Sequence, residues 1–413
     1  MNKVKIGIIG LGNVGSSVIR VLGKNSALIR EKTGLNIQIS KAADIRDKRS
    51  IAGKAFTKKV SDVIADPEIS IAVEAIGGVN PARKYILSAI RNGKHIVTSN
   101  KEVIAKYGRE IIETAKRKGV YVLFEGAVCG GIPIIRPIRE CLAAGNISEV
   151  SGIVNGTTNY ILTKMTRDGV SFDAALKEAQ KKGFAEADPS MDIDGSDAAY
   201  KAAILAYVSS GCFIDPSKIY KEGISRIAAE DIDYAKEIGY VVKLLAIIKL
   251  GKNELEVRIH PTLVEKNHPL AEVNENYNAV FVKGDAFGKV MFYGEGAGGM
   301  PTASSVLSDV IEIAKETGGC CPCEPYYPPM KKLRVKDIGD IRSRYYIRLE
   351  APDRPGVLAG ISGVFAKKKI SIQEVVQRES KGKTAQIVII LHENKEKDVQ
   401  DALKIISRLP VVK

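Results

Sequence analysis

The sequence predicts an α/β protein in three parts: a doubly wound parallel sheet, an α+β domain, and a small C-terminal βαββαβ module. Short apolar strands alternate with helical stretches over residues 1–135, which is typical of a parallel sheet covered by helices on both faces. Helical runs at 157–182, 196–210 and 228–250 follow, with strand-like pieces around them. A segment rich in proline and glycine then precedes a tail that reads strand, helix, strand, strand, helix and a possible last strand.

The bulk composition is typical of a soluble globular protein. The chain has 413 residues, so we expect two or three domains, and its apolar and charged fractions, 45% and 27%, are ordinary. No apolar run approaches the ~20 residues that span a bilayer, and the N-terminus does not resemble a signal peptide, so we expect a cytoplasmic location and no membrane partner. The net charge of +14 is spread along the chain without a nucleic-acid-binding motif, so we expect no nucleic-acid partner.

A glycine-rich loop follows the first predicted strand, residues 4–10. Gly10, Gly12 and Gly15 form the pattern G-x-G-x-x-G, and the residues after them recur with helical spacing. The glycines permit a tight turn and close approach of a pyrophosphate, while the helix N-terminus supplies free N–H groups. This strand–loop–helix context favours a Rossmann-type dinucleotide site over a glycine turn without a ligand.

The choice between NAD and NADP stays open at the second predicted strand. Asp44 follows that strand and is the candidate to hold a ribose hydroxyl. Arg46, Lys48 and Arg49 come directly after it and are suited to a 2′-phosphate. The sequence therefore supports both cofactors almost equally.

A lysine ends the strand "HIVTSNK". Thr98, Ser99, Asn100 and Lys101 follow its apolar residues, and ligands of open parallel sheets lie beyond the carboxyl ends of the strands. Lys101 is therefore predicted where a nicotinamide and a substrate would meet. The alternative is an exposed loop lysine, one of many in the chain.

The stretch Glu186–Gly211 is acidic at first and then becomes an apolar helix that contains a lysine. If 196–210 is helical, Asp197 and Lys201 lie one turn apart on the same stripe as Ile204 and Leu205. A buried ammonium needs a partner, and Asp197 is the obvious one. The pair is a candidate acid/base group, with a purely structural ion pair as the alternative. Further carboxylates precede it and suit a substrate ammonium or a hydrogen-bonded loop: Glu186, Asp188, Asp192 and Asp194.

Three of the six cysteines, Cys320, Cys321 and Cys323, form the cluster "CCPC" in the Pro/Gly-rich segment. A zinc site would need a fourth ligand and usually a distant second pair, which the sequence lacks. A redox-sensitive or intersubunit disulfide is the other reading. The remaining cysteines are scattered and are predicted to be small buried residues.

Several motifs together resemble homoserine dehydrogenase over nearly all of the first 318 residues. They are "GLGNVG", "VEAIGG", "GKHIVTSNK", "FEGAVCGGIPII", "GIVNGTTNYIL", "GFAEADPSMDIDGSDAAYKAAILA" and "GEGAGGMPTASSV". The tail from residue 344 resembles an ACT domain through "APDRPGVLAGI". We expect the monofunctional form, since no aspartokinase-like segment precedes residue 1 of the sequence.

The resemblance implies reversible NAD(P)-dependent reduction of L-aspartate 4-semialdehyde to L-homoserine. It implies that Lys201 donates the proton, that Asp197 orients it, and that Lys101 binds substrate or assists proton transfer. Glu186 and Asp192 are implied to bind the substrate amino group. Cofactor contacts are implied at Gly10, Gly12, Asn13, Val14, Gly15, Asp44, Arg46, Gly77, Thr98, Ser99, Lys101, Gly183 and Gly298. A structural monovalent cation, Na⁺ or K⁺, is implied at the Glu125 side chain and the carbonyls of Val128, Gly130 and Ile132.

The pattern of elements sets domain boundaries, and the resemblance adds expectations for regulation. We expect a nucleotide-binding domain at 1–135, a catalytic and dimerisation domain at 136–301, a helix at 302–318 that packs back onto the first, a linker at 319–342 and the ACT domain at 343–413. Feedback by an amino acid, most plausibly threonine, is implied at Asp353 and Gly356. A homodimer or homotetramer follows from the usual pairing of ACT modules, and a partner could complete the edge left by the short C-terminus.

Two other functions stay open. One is a dehydrogenase that acts on a different small amino-acid aldehyde. The other is an NAD(P)-responsive amino-acid sensor without turnover, which would need no buried acid/base pair.

Overall fold

Three sheets organise residues 2–318, 325–377 and 384–409, which are the residues that the computed structural model describes. The first is a six-stranded parallel sheet in the order β3-β2-β1-β4-β5-β6, which confirms the predicted doubly wound fold. Its elements are β1 (Asn2–Ile9), α1 (Asn13–Thr33), β2 (Leu35–Ala43), α2 (Arg49–Ala52), β3 (Phe56–Thr57), α3 (Ser61–Ile64), β4 (Ile71–Glu74), α4 (Ala82–Arg91), β5 (His95–Thr98), α5 (Lys101–Lys118) and β6 (Val122–Leu123).

The second sheet is mixed, with the order β12-β11-β7-β9-β10-β13 and β8 paired to β10. Its elements are β7 (Ile147–Ile153), α6 (Gly156–Asp168), α7 (Phe172–Lys181), α8 (Ser190–Ile193), α9 (Ser196–Ser210), β8 (Tyr220–Lys221), α10 (Ala229–Glu237), β9 (Tyr240–Leu250), β10 (Glu254–Glu265), β11 (Tyr277–Gly284), β12 (Gly288–Glu295), α11 (Gly299–Gly318) and β13 (Arg334–Val335).

Two of the predicted helical runs in this part are wrong in detail. The run at 157–182 is two helices, because Gly169 adopts a left-handed φ of 65° and ends the first. The run at 228–250 is a helix that ends before Gly239, followed by the strand β9. The residues of β9, "YVVKLLAIIKL", are almost all apolar and largely buried. A continuous apolar run of this kind does not distinguish a buried strand from a buried helix.

Helix α9 lies at the centre of the molecule. It packs against α5 of the first part and against β9 and β10 of the second. Its residues are buried on nearly every side, so the predicted single stripe is too narrow a description. Asp197 and Lys201 are indeed buried with Ile204 and Leu205. The ion pair therefore lies where the part built on the parallel sheet meets the part built on the mixed sheet.

Helix α11 returns to the nucleotide-binding part. Its apolar face, including Val306 and Val310, packs with Ile6, Ile8 and Val18 of β1 and α1 in one buried cluster. This packing places the N-termini of α1 and α11 side by side, since a Cβ on Gly299 would lie 2.5 Å from both Asn13 Oδ1 and Ser17 Oγ.

The third sheet is antiparallel, with the order β14-β16-β15, and it follows the predicted strand–helix–strand–strand–helix sequence. The possible last strand, at 410–413, and the cluster Cys320, Cys321 and Cys323 lie outside the described residues. The elements of this module are β14 (Arg342–Pro352), α12 (Val357–Lys367), β15 (Ile372–Gln377), β16 (Thr384–Lys395) and α13 (Glu396–Ile406).

One face of this third sheet packs on α10. Val388 and Ile390 of β16 form a buried cluster with Tyr234 of that helix. Next to them, the Arg348 guanidinium donates to Asp231 Oδ1 at 2.6 Å and the Tyr346 hydroxyl donates to the same oxygen at 2.7 Å. The C-terminal module is therefore bonded to the first turn of α10.

The described helices contain none that combines the length and the low polarity needed to cross a membrane.

Candidate active site

The glycine loop after β1 is tightly packed on its inner side and open on its outer side. Gly10 has a φ of 97°, and a Cβ on Gly15 would lie 1.9 Å from the Gly10 carbonyl oxygen, so only glycine fits there. A Cβ on Gly12, in contrast, would meet no atom within 4 Å. Helix α1 begins at Asn13, followed by Val14, and carries no acidic residue in its first turn. This open loop at a positive helix end is suited to a pyrophosphate.

Asp44 braces this loop from the end of β2. Its carboxylate accepts hydrogen bonds from the Leu11 N–H at 2.8 Å and the Arg46 N–H at 2.8 Å. Burial favours a higher pKa for Asp44, but these two N–H groups and the Arg46 side chain outweigh it and lower the pKa. The Arg46 Nε lies 3.5 Å from Asp44 Oδ1, yet the Arg46 side chain is 66% exposed, so most of this cation faces solvent beside the buried carboxylate.

The ends of β4 and β5 are tied together by a buried glutamate that the sequence analysis missed. Glu74 Oε2 accepts from the Thr98 hydroxyl at 2.5 Å, and Oε1 accepts from the Ile76 N–H at 2.6 Å. Burial raises the pKa of Glu74 to about 7. Thr98 is therefore fully buried with its hydroxyl facing Glu74, whereas Ser99 is half-buried and Gly77 is exposed at the same edge of the sheet.

Asn100 fixes the start of α5 and hence the position of Lys101. Its Oδ1 accepts from the Val103 N–H at 3.1 Å, which caps the helix. Its Nδ2 donates to the carbonyls of Ile76 and Gly78 at 2.8 and 2.7 Å. Lys101 is the first residue of α5, and its side chain is 41% exposed.

The three predicted catalytic residues lie together. Lys201 Nζ donates to Asp197 Oδ2 at 2.8 Å and to the Val154 carbonyl at 2.6 Å. Lys101 Nζ lies 2.6 Å from the other carboxylate oxygen, Asp197 Oδ1. One buried carboxylate therefore holds two lysines, one buried and one that reaches solvent.

Charge pairing outweighs burial in this cluster. Burial lowers the pKa of Lys201, but the adjacent Asp197 carboxylate more than compensates, so the pKa of Lys201 is raised. Burial likewise favours a higher pKa for Asp197, and the two lysines, Lys201 first, reverse it and lower that pKa strongly. Lys201 is therefore protonated at neutral pH, as an acid in a reduction must be.

A second carboxylate joins this cluster through Asn155. The Asn155 side-chain Nδ2 donates to Asp197 Oδ2 at 2.9 Å and to Asp192 Oδ1 at 2.7 Å. The Thr157 hydroxyl lies 3.1 Å from Asp192 Oδ2. Asp192, which is half-buried, is one of the two predicted ammonium-binding residues, and the Asn155 amide connects it to the lysine–aspartate pair.

The other predicted ammonium-binding residue, Glu186, lies in the exposed segment that follows α7. Its carboxylate makes no hydrogen bond or ion pair within the part of the chain that the structure describes. The segment is nevertheless anchored, because the Phe184 carbonyl accepts from the Thr157 hydroxyl at 2.6 Å. Gly183, with a φ of 75°, makes the turn out of α7.

Gly298 turns the chain from β12 into α11. It has a φ of 123°, and its carbonyl accepts from the Thr302 N–H at 3.1 Å. Because the first residue of α11 contacts α1, this turn lies beside the glycine loop that follows β1. The two helix N-termini together make this region favourable for an anion.

The predicted cation ligands only partly fit a cation. The Glu125 carboxylate accepts three backbone N–H groups, from Ile134, Ile135 and Arg136, at 2.6 to 2.8 Å. The Gly130 carbonyl accepts from the Ser305 hydroxyl at 2.7 Å. The other two predicted ligands are the neighbouring carbonyls of Val128 and Ile132. Protein donors therefore already satisfy part of this set, and no chemical step is assigned to a cation.

The predicted regulatory residues lie at the start of α12. Gly356, with a φ of 89°, is the residue before that helix, and Asp353 is exposed and accepts from the Gln377 side chain at 3.3 Å. They belong to the C-terminal module with the third sheet, whereas the lysine–aspartate cluster lies between the parts built on the first and second sheets.

Three family models match successive parts of the chain. The NAD-binding domain of homoserine dehydrogenase matches residues 10–125, homoserine dehydrogenase itself matches 133–311, and the ACT domain matches 345–411. The homoserine dehydrogenase of Bacillus subtilis is 39% identical over 418 residues, which cover 100% of this chain and 96% of that protein. The chain belongs to the homoserine dehydrogenase family. It is an NAD(P)-dependent oxidoreductase with an ACT domain, as the motifs predicted.

Solved structures of the family agree with this assignment. A homoserine dehydrogenase from Thiobacillus denitrificans superposes with a TM-score of 0.94 at 42% identity, covering 100% of this chain and 96% of that one. A hyperthermophilic archaeal homoserine dehydrogenase mutant, solved in complex with NADPH, has a TM-score of 0.64 at 30% identity and covers 75% of this chain and 97% of that one.

Proposed function

We propose that the protein catalyses reversible hydride transfer between NAD(P)H and L-aspartate 4-semialdehyde, giving L-homoserine. The observation that carries the proposal is the buried Lys201 amine, held by Asp197 and the Val154 carbonyl between the parallel-sheet and mixed-sheet parts. The reaction supplies homoserine for threonine, methionine and isoleucine biosynthesis in the cytoplasm.

Lys201 is the acid of this mechanism. When bound, the reduced nicotinamide supplies the hydride to the aldehyde carbon. Lys201 faces the oxygen on which negative charge then develops, stabilises that charge and transfers a proton to it. Asp197 keeps the ammonium form of Lys201 stable in a dry site before transfer, and in the oxidative direction the neutral amine takes the proton back.

The remaining site residues orient the substrate. Asp192 and Glu186 bind the substrate ammonium group, because carboxylates are the natural partners for a cation. Lys101 reaches solvent while it contacts Asp197, so it is placed to meet the substrate carboxylate or to assist proton transfer. These roles give the ammonium and the carboxylate of a small amino-acid aldehyde partners of opposite charge.

We further propose that NADP is preferred over NAD. Both oxygens of Asp44 already accept hydrogen bonds from backbone N–H groups, and Arg46 meets Asp44 only through Nε at 3.5 Å while its side chain stays 66% exposed. Guanidinium groups recognise phosphates by paired hydrogen bonds. In an Arg46→Ala variant the KM for NADP is expected to rise about tenfold and the KM for NAD to change little. Equal changes with both cofactors would contradict the preference.

We propose that an amino acid, most plausibly threonine, inhibits through the ACT domain at Asp353 and Gly356. Support comes from the contacts of Arg348 and Tyr346 with Asp231, since Asp231 lies in the first turn of α10 and the segment before α10 meets the acidic loop. There the Ile224 N–H donates to the Ile193 carbonyl at 2.9 Å, next to Asp192. Pairing of ACT modules would make the protein a homodimer or homotetramer.

Following the absorbance of reduced nicotinamide tests the activity directly. Homoserine should be oxidised with NADP, and other small hydroxy amino acids should be poor substrates. Equal turnover of another hydroxy amino acid would indicate a different aldehyde substrate. Tight NADPH binding without any turnover would instead indicate a sensor.

A further inference from the structure

We propose that Asn155 is a positioning residue, which couples the carboxylate that binds the substrate ammonium to the carboxylate that holds the proton donor. The inference rests on the proposed function and gives a role to a residue that lies within the motif "GIVNGTTNYIL" but to which the resemblance assigned none. It is carried by two hydrogen bonds from one amide nitrogen, to Asp192 Oδ1 at 2.7 Å and to Asp197 Oδ2 at 2.9 Å.

Every polar atom of the Asn155 side chain is occupied. Its Nδ2 uses both hydrogens on the two carboxylates, and its Oδ1 accepts from the Thr158 N–H and the Thr158 hydroxyl, each at 2.9 Å. The amide orientation is therefore unambiguous, because a flip would direct Oδ1 at two carboxylates and NH₂ at an N–H donor. The side chain is only 4% exposed, so these bonds do not compete with bulk water.

The turn that carries Asn155 is closely packed. Val154 and Asn155 connect β7 to α6, and Asn155 is the N-cap of that helix. A Cβ on the next residue, Gly156, would lie 2.7 Å from the Asn276 carbonyl oxygen, so the chain passes close to its neighbour there. Adjacent residues of this one turn thus hold Lys201 by a carbonyl and Asp197 by an amide.

Asn155 therefore fixes the positions of two carboxylates relative to each other. Asp192 and Asp197 repel each other, and a neutral amide between them donates to both at once. Movement of Asp192 toward a substrate ammonium is then transmitted to Asp197 through one side chain. Asn155 does not touch the reacting atoms; it sets where Lys201 lies relative to a bound substrate.

Two substitutions separate this role from helix capping. Asn155→Ser and Asn155→Asp both retain an oxygen that can cap α6, but neither can donate to two carboxylates. Ser171→Ala is the control, because Ser171 caps α7 through the Ala174 N–H and lies outside the carboxylate cluster. All three variants should fold, with NADPH affinity within about twofold of the parent.

We expect the Ser variant to lose about 10–100-fold in kcat for homoserine oxidation, because small misplacements of a catalytic group have effects of this size. Its KM for homoserine should rise as well, since Asp192 is also released. In the Asp variant the added negative charge favours the ammonium form of Lys201, so the rise of the oxidation rate with pH should move to higher pH than in the parent. The Ser171→Ala variant should show none of these changes.

The proposal would be overturned if both Asn155 variants kept kcat and KM within threefold of the parent and a pH profile within 0.3 pH units of it. A crystal structure of Asn155→Ser gives a readout that does not depend on turnover. The proposal expects Asp192 and Asp197 to separate there, and unchanged carboxylate positions would also contradict it. If the parent itself fails to oxidise homoserine, the proposed function fails, while this structural comparison still decides whether Asn155 positions the carboxylates.

Discussion

The dinucleotide loop and the lysine–aspartate cluster place functional groups by different physical means. The loop uses backbone: Gly15 lets the chain pass so closely that a Cβ would overlap the Gly10 carbonyl, and the first turn of α1 presents N–H groups. The cluster uses buried side chains: Asp197 is held by two lysines and an asparagine that come from separate segments. The first site depends on available space, and the second depends on charge balance.

This difference determines which substitutions each region tolerates. In the loop, adding one carbon should be harmful although no charge changes. In the cluster, replacing one oxygen by nitrogen should be harmful although no volume changes. The following predictions test that contrast, from the largest expected effect to the smallest.

The largest effect is expected from Asp197→Asn, which keeps the shape of the cluster and removes its charge. Lys201 then becomes a buried cation without its counter-ion. We expect kcat to fall by about 10²–10⁴-fold, the usual range for a displaced acid/base group. The free energy of unfolding should fall by about 3–5 kcal/mol, as when one partner of a buried pair is removed.

Steady-state assays and urea titrations measure both effects. The matched control is Asp194→Asn in the same acidic stretch, where the exposed carboxylate pairs with Lys221 at 2.7 Å. That variant should stay within threefold in kcat. Similar losses in both variants would mean that the charge of the Asp197 cluster has no special part.

Gly15→Ala should disrupt the glycine loop that follows β1. The added Cβ would lie 1.9 Å from the Gly10 carbonyl oxygen, so the loop must shift. We expect NADPH affinity to fall by about 100-fold or stability by about 1–3 kcal/mol, the usual cost of overpacking. Fluorescence titration with NADPH and a denaturant curve measure the two quantities.

Gly23→Ala in the same helix is the control for this substitution. A Cβ there would meet nothing within 4 Å, so this variant should be as stable as the parent or up to about 1 kcal/mol more stable. If Gly15→Ala binds NADPH as well as Gly23→Ala does, the loop does not depend on close backbone approach.

Glu74 is a buried, titratable side chain at the end of β4, in the same sheet as the glycine loop. Its pKa is about 7 in the folded protein and 4.5 in the reference state, so between these values the folded state binds a proton that the unfolded state lacks. The stability of the parent should therefore decrease as pH rises from 5 to 8, by up to about 3 kcal/mol. Glu74→Gln should remove this part of the pH dependence.

Urea unfolding at pH 5 and pH 8 tests the sign. Glu68→Gln provides the control, because that glutamate is 63% exposed and pairs with Lys5 at the surface. Parallel curves for the parent, Glu74→Gln and Glu68→Gln would contradict the assignment of the effect to Glu74.

The smallest effect is expected where the ACT domain meets α10. Arg348→Ala removes a partly exposed ion pair with Asp231, so stability should fall by only about 1 kcal/mol and uninhibited kcat should be unchanged. Inhibition by threonine, in contrast, should weaken several-fold. The control is Arg344→Ala on the same strand, whose side chain is exposed. Equal inhibition in both variants would argue against this contact as the route of regulation.

The sequence predicted features that are local in the chain more completely than those that are not. Gly10, Gly12 and Gly15 lie within six residues, and Asp197 and Lys201 within one helical turn, so their spacing alone indicates the strand–loop–helix and the ion pair. Asn155 lies 37 residues from Asp192 and 42 from Asp197, so no local pattern could join them. Its position at the start of a helix is predictable as a cap, but its two donor bonds are not.

Glu74 and β9 were missed for related reasons. Glu74 follows three apolar residues and precedes a glycine pair, and nothing in that order shows that the Thr98 hydroxyl meets it from the next strand. Strand β9 was assigned to a helix because buried elements of both types read as apolar runs. In each case tertiary contacts, rather than neighbours in sequence, decide the outcome.

The central claim is that Lys201 transfers the proton while the other half of the molecule holds the cofactor. A single-turnover measurement with Lys201→Met tests it most directly, because methionine keeps the apolar stem and removes the amine. With NADPH binding verified by fluorescence, we expect hydride transfer to the aldehyde to slow by at least about 10³-fold relative to the parent and to a Lys106→Met control. Transfer within tenfold of the parent would contradict the account.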